Sequence, residues 1–213
     1  MQAIGFGYKT SWIAVRDTPP RALAAALRLA DVVETGWDEG LDAADELGNG
    51  AAAPLFVMGP VDGWTLAASF RLSEAIEGSG PPLRGFLATL SAALDGAEVQ
   101  YFATHRIVEQ HAWGCAKNGK TLRAYGFVGE SGRTLENYGE PTTAERELGF
   151  DFYDERVSGD PSWEDDVPVP NEDDVMRLAE RWSVDPTALG ERGLDVAPGL
   201  LGTFVFHDFV EQR

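Results

Sequence analysis

The stretch HAWGCAKNGKTLRAYGF (111–127) carries the clearest local signal in the chain, Lys117-Asn118-Gly119-Lys120 set between two apolar runs. Asn-Gly in a two-residue connection predicts a type I′ hairpin, because both central residues must accept positive φ. Without a bulge, that turn pairs Trp113 with Ala124, Cys115 with Leu122 and His111 with Gly126. Strand alternation then puts Ile107, Glu109, His111, Trp113 and Cys115 on one face. Val108, Gln110 and Ala112 fall on the other, with Arg123, Tyr125 and Phe127 from the partner strand. Antiparallel sheet is therefore the expected frame of the fold.

Upstream, AEVQYFATHRIVE (97–109) reads as a long strand that feeds this hairpin. A helix precedes it, opened by Pro81-Pro82, striped by Leu83, Phe86, Leu87, Leu90 and Leu94, and ended by Gly96. PLFVMG (54–59) and GWTLAASF (63–70) read as two strands joined near Pro60-Val61-Asp62-Gly63. SWIAVR (11–16) is a further strand, followed by Pro19-Pro20 and an Ala/Leu-rich helix from Arg21 to Ala30. Trp37, Leu41, Ala44 and Leu47 recur at helical spacing. The order strand, Pro-Pro, helix, strand thus occurs twice, with Trp12 and Trp64 in corresponding strands. Residues 1–62 and 63–150 are accordingly read as two modules of one core.

After Glu140-Pro141 the composition shifts. Thr142 to Glu147 reads as a short helix, and an acidic, proline-bearing loop follows. Asn171 is a good helix N-cap, with Glu172, Asp173 and Asp174 favourable at the positive end of the helix dipole. Val175, Leu178, Ala179 and Trp182 form that helix's apolar stripe, Asp185-Pro186 restarts a short helical turn, and GTFVFHDFV (202–210) is a closing strand. The expected fold class is α+β: a mostly antiparallel sheet with packed helices, and residues 151–213 as an acidic extension on the same domain.

With 213 residues and 44% hydrophobic content, the chain suits one large globular domain. Its 17 basic and 35 acidic residues give a net charge of −18, and residues 141–213 alone contribute −12. A field of that sign repels phosphate backbones, so nucleic acid is not expected as a partner, whereas a basic protein is. The single cysteine, Cys115, excludes an intramolecular disulfide. No apolar run is long enough to span a membrane, and MQAIGFGYKTSWIAVRD lacks the basic and apolar regions of a signal peptide. A cytoplasmic location is the expectation.

Candidate chemistry is sparse. His105, His111 and Cys115 share strand parity, but on an unbroken strand neighbours four apart are separated by about 13 Å, too far to share a metal. Cys115 beside Lys117 could be a nucleophile, but a lone cysteine near a strand end is more often a small buried hydrophobe. Gly5-Phe6-Gly7-Tyr8-Lys9-Thr10 departs from the phosphate-loop pattern at Tyr8 and precedes a strand instead of a helix. Leu178 to Leu189 has a helix-turn-helix rhythm without the basic side chains that read a major groove. Two constellations remain. Trp163 stands among Asp160, Glu164, Asp165 and Asp166 in the acidic loop, an aromatic anchor ringed by carboxylates that suits a basic partner. His105, Arg106, Arg123 and Glu130 could line a polar cleft on the hairpin sheet, the arrangement expected of a small enzyme or ligand-binding domain. No cofactor is expected.

GWTLAAS followed by LSAALDGAEVQYFATHRIVEQHAWGCAKNGKTLRAYGFVGE, over roughly residues 63–130, resembles a group of small bacterial proteins. The later PNEDDVMRLAERWSVDP segment goes with it, and 14 Arg against 3 Lys fits a GC-rich bacterial genome. Acidic α+β proteins of this kind resemble the immunity partners of bacterial polymorphic toxins. That resemblance implies a binding protein that occludes a basic toxin or other basic partner, and it brings no catalytic residues.

Overall fold

The Asn118-Gly119 turn is present, with both residues in the left-handed region at φ 53° and 68°. It joins strands β6 (Gln110–Lys117) and β7 (Lys120–Val128). The computed structural model to which these strands belong describes residues 1–46, 52–73, 82–152 and 168–205.

The pairing differs from the sequence expectation by one residue. Lys117 opposes Lys120 and Ala116 opposes Thr121, but Cys115 then opposes Arg123, Trp113 opposes Tyr125 and His111 opposes Phe127. Leu122 is the extra residue, and it is 56% exposed. Such a bulge changes which face every later side chain occupies. Arg123, Tyr125 and Phe127 therefore share a face with His111, Trp113 and Cys115 instead of opposing them. The expected long strand over 97–109 is also shorter: β5 (Val99–His105) ends in a turn through Arg106–Glu109, with Glu109 at φ 49°, and pairs antiparallel with β6.

The remaining strands are β1 (Ser11–Arg16), β2 (Ala30–Thr35), β3 (Ala52–Val57), β4 (Trp64–Ser69), β8 (Arg133–Tyr138) and β9 (Gly199–Val205). All join one antiparallel sheet in the order β2-β9-β3-β4-β1-β5-β6-β7-β8. The described part of the closing strand is thus not at a margin but between β2 and β3. Neither edge strand is legible in the sequence. β2 is solvent-facing along nearly its whole length, so it lacks the alternation by which half-buried strands are recognised. Its helix of origin stops early as well: α1 spans Pro20–Ala26, and Arg28 adopts φ 55° without a glycine to announce the stop.

Register builds one aromatic row across the sheet. Phe56 opposes Ala68, Ala68 opposes Trp12, Trp12 opposes Phe102, Phe102 opposes Trp113, and Trp113 opposes Tyr125. Trp12 stacks on Phe102 with centroids 5.1 Å apart, and Trp113 meets Tyr125 at 4.6 Å. Such cross-strand pairs are the unit of sheet stabilisation. Helices α2 (Trp37–Ala44), α4 (Thr143–Glu147) and α5 (Glu172–Trp182) pack on this face. α1 and α3 (Leu83–Ala93) cover the other through Leu23, Leu27, Phe86, Leu87 and Leu90. The result is a helix–sheet–helix sandwich of α+β class.

Phe56 fits because two glycines leave room for its ring. A Cβ added at Gly40 of α2 would stand 2.3 Å from the ring, and one at Gly199 of β9 2.4 Å. The ring is fully buried, so relief would have to come from moving α2 away from the sheet. Gly40→Ala is expected to cost about 1–3 kcal/mol despite the better helix propensity of Ala. Urea unfolding of the two proteins measures it, and an unchanged midpoint would show that α2 is free to shift.

Candidate functional site

The bulge at Leu122 sends Arg123 inward, where its side chain is fully buried against an equally buried Glu145. Nε donates to Glu145 Oε1 at 3.0 Å, and Trp113 Nε1 donates to the same oxygen at 2.8 Å. Glu145 Oε2 accepts the Thr142 backbone N–H at 2.6 Å, closing a capping box whose other half is Thr142 Oγ1. Arg123 Nη1 donates to Asn137 Oδ1 at 2.8 Å and to the Tyr138 carbonyl at 2.9 Å. One ion pair thereby ties β6, β7, β8 and α4 together. It is a structural element, closed to any ligand.

Cys115 sits across from Arg123. Burial, then the Glu145 and Glu98 carboxylates, push its thiol up to about 12. At neutral pH it is a protonated thiol, not a nucleophile.

Of the cleft residues read from sequence, three lie around the turn after β5, and of these it is Arg106 that lines the cavity there. His105 ends β5, Arg106 starts the turn, and the Glu130 backbone N–H donates to Val108 O across that turn at 3.3 Å. Arg123 lies five residues along β7 from the pairing of Val128 with Gln110, about 17 Å away. Trp163, Asp160, Glu164, Asp165 and Asp166 lie outside the described residues, as does Leu47.

Because the strand is broken at the turn, His105 and His111 approach each other. His111 is 3% exposed, and its Nδ1 has no hydrogen-bond partner among the described residues. Burial, reinforced by His105, pushes its imidazole down to about 4, so it is uncharged at neutral pH. The His105 ring packs at 5.6 Å from that of Phe70. His111 lines a cavity of about 360 Å³ with Arg106, Glu109 and the start of α5, Asn171, Glu172 and Asp173. Glu172 Oε1 accepts a hydrogen bond from Thr104 Oγ1 at 3.1 Å, which fixes one wall.

Beyond the end of β5, a second recess of about 430 Å³ runs between the N-terminal segment and α2. Its floor is apolar, formed by Phe6, Leu41, Ala68 and Phe70. One rim carries Asp38, Asp42 and Asp45, which are exposed and unpaired with any cation among the described residues. Their spacing of four and three places them on one helix face. The opposite rim offers Ile4 and Tyr8, the latter 51% exposed. Thr104 stands between the two recesses, since its N–H donates to the carbonyl of Thr10 in the groove at 3.2 Å.

Asp38, Asp42 and Asp45 are not singled out by the sequence reading, which places Glu109 on the hairpin sheet and Glu172 in a helix first turn without joining the two. The first three repeat the spacing of Trp37, Leu41 and Ala44 one residue later, so their shared face was legible beside the apolar one. The grouping of Glu109, His111 and Glu172 depends on the turn and on where α5 docks, and no local pattern announces it. Among the described residues no helix is long and apolar enough to cross a membrane, and no group of three His, Cys, Asp or Glu is placed to hold a metal ion. Comparison with family models, curated proteins and solved structures returns no match.

Proposed function

We propose that this protein is a cytoplasmic binding protein of the immunity type, which docks on a basic toxin or another basic protein and occludes it. The observation that supports this reading most is the groove beside α2. Its apolar floor suits the alkyl stem of an Arg or Lys side chain, and Asp38, Asp42 and Asp45 meet the charged head. The overall charge of −18 would speed encounter with such a partner. In this reading Trp163, with Asp160, Glu164, Asp165 and Asp166, supplies a second anchor within an acidic extension of the two-module core. The binding reading is preferred to that of a small enzyme or ligand-binding domain because Arg123 is committed to Glu145 and Cys115 to its protonated state.

The test begins with capture of partners from the native host at low and high salt, identified by mass spectrometry. The recovered protein should be basic and should bind more weakly at high salt. Replacing Asp38, Asp42 and Asp45 together with Asn is expected to weaken its affinity about tenfold or more, roughly 1–3 kcal/mol. A partner that binds the triple variant as tightly as wild type would remove the groove from the interface. A second variant, with Trp163, Asp165 and Asp166 replaced by Ala, tests the other anchor in the same assay.

A further inference from the structure

We propose that the groove beside α2 takes an arginine side chain of the partner, in preference to lysine, with its guanidinium at the carbonyl end of the helix. This deepens the docking reading and rests on the groove being the contact surface.

α2 carries a local conflict that a bound cation resolves. The C-terminal end of a helix is its negative end, which favours Lys or Arg and disfavours carboxylates. α2 has no basic residue in its last turn; Asp42 lies in that turn and Asp45 caps it. Asp42 is also one turn from both Asp38 and Asp45, and like charges at those spacings repel. Asp38, in the first turn, suits the dipole, whereas the other two oppose it. Departures of this kind from local rules are expected where function requires them. A cation seated over the last turn supplies what the free helix lacks.

Both walls of the groove are in place before any partner arrives. The Ala44 carbonyl accepts the Phe70 N–H at 2.9 Å, tying the end of α2 to the residue after β4, and Trp37 Nε1 donates to the Ala197 carbonyl at 3.2 Å. Across the groove, the Phe6 N–H donates to the Pro186 carbonyl at 3.1 Å. Gly5 lies so close to Thr187 that an added Cβ would stand 2.6 Å from its carbonyl oxygen. Pre-formed walls spare the ordering cost that weakens flexible sites.

The lining distinguishes arginine from lysine. Three aromatic rings, Phe6, Tyr8 and Phe70, share the recess with three carboxylates spread over two helical turns. A guanidinium offers five N–H donors in a flat fork, stacks on aromatic faces and is weakly hydrated. An ammonium is a compact, strongly hydrated charge with three donors, so it loses more on entering an apolar-floored recess. Tyr8, 51% exposed on the rim, is the ring most open to a stacked guanidinium. A volume of about 430 Å³ holds one side chain and its stem, not a helix about 10 Å across.

The experiment follows the backbone amide resonances of α2 by NMR while three probes are added: N-acetylarginine amide, N-acetyllysine amide and N-acetylcitrulline amide, the last keeping the arginine shape without its charge. The arginine probe should move the Asp42 and Asp45 amides saturably, with a Kd of about millimolar order. Lysine should bind at least about threefold more weakly, and citrulline should not saturate. Tyr8→Ala should bring the arginine and lysine affinities together, and the double variant Asp42→Asn/Asp45→Asn should abolish the response. A second measurement needs no ligand. At low salt Asp45→Asn should unfold at a higher urea concentration than wild type, whereas Asp38→Asn, the same charge change at the favourable end, should not. The proposal is overturned if lysine binds as tightly as arginine, if citrulline saturates, if no probe saturates, or if Asp45→Asn is less stable than wild type. Partner capture scores the docking reading separately. A basic partner released by the Asp38, Asp42, Asp45 triple variant upholds that reading even where lysine equals arginine, and a partner indifferent to the variant removes it even where free arginine binds.

Discussion

Replacing Arg123 with Met, or Glu145 with Gln, is expected to destabilise the protein by about 3–5 kcal/mol. Both side chains are fully buried, and each satisfies the other's charge at 3.0 Å. Removing Arg123 leaves a buried carboxylate that accepts from the Trp113 and Thr142 N–H groups without the guanidinium that balances its charge. Removing the Glu145 charge leaves a guanidinium held by Asn137 and by backbone carbonyls. Desolvating an ion is tolerable only while its partner stays in place, so either single change strands a charge in the core. The double variant Arg123→Met/Glu145→Gln should recover much of that loss, because both charges of the pair are removed together. Urea unfolding of the four proteins gives the coupling energy directly. Single variants that lose less than about 1 kcal/mol would mean that water reaches the pair or that the carboxyl is protonated.

This pair also shows where sequence reading stops. The Asn118-Gly119 turn was legible because only residues tolerant of positive φ can occupy it. The bulge three residues later was not, since Leu122 carries no signal that marks an extra residue. That single residue carries Arg123 from the expected face to the opposite one, from a proposed open cleft to a closed ion pair. Helices α2, α3 and α5 were readable from their apolar spacing, and α5 has the expected Asn171 cap. The edge strands β2 and β8 were not, because edge positions need only one good neighbour and impose little pattern on their side chains. The same asymmetry governs the recesses. Asp38, Asp42 and Asp45 are local to one helix, and helical spacing alone groups them. The cavity beside His111 joins a turn, a strand and a helix start that lie about sixty residues apart in sequence, so only docking reveals it.

The charged groups divide between the two roles by burial. The carboxylates of α2 sit exposed on a groove rim, where water screens their mutual repulsion and a partner can displace that water. In the core, the Glu145 carboxylate is paired with Arg123. His111 belongs to neither set, as a titratable group held uncharged by its surroundings, and its effect on the fold depends on pH.

Wild-type stability is expected to fall as pH drops from about 7 toward 4, and His111→Gln is expected to fall less, by about 2–3 kcal/mol over that range. The sign follows from which state binds the proton. An unfolded chain protonates this histidine near its ordinary value of 6.5, whereas the folded chain resists until about 4. Between those values the unfolded state carries more protons, so lowering pH favours it. Desolvation is the main cause, and the neighbouring His105 adds to it. Glu136 and Asp174 act in the opposite sense. Burial raises both carboxyl groups, so their protonation near the bottom of the range favours the folded state. Those groups are common to both proteins, as is the general loss of negative charge on acidification. The difference between the two curves therefore isolates His111. Urea midpoints at pH 7, 6, 5 and 4 supply it, provided the slopes of the transitions agree. Parallel curves would show that His111 protonates in the folded protein as readily as in the unfolded one.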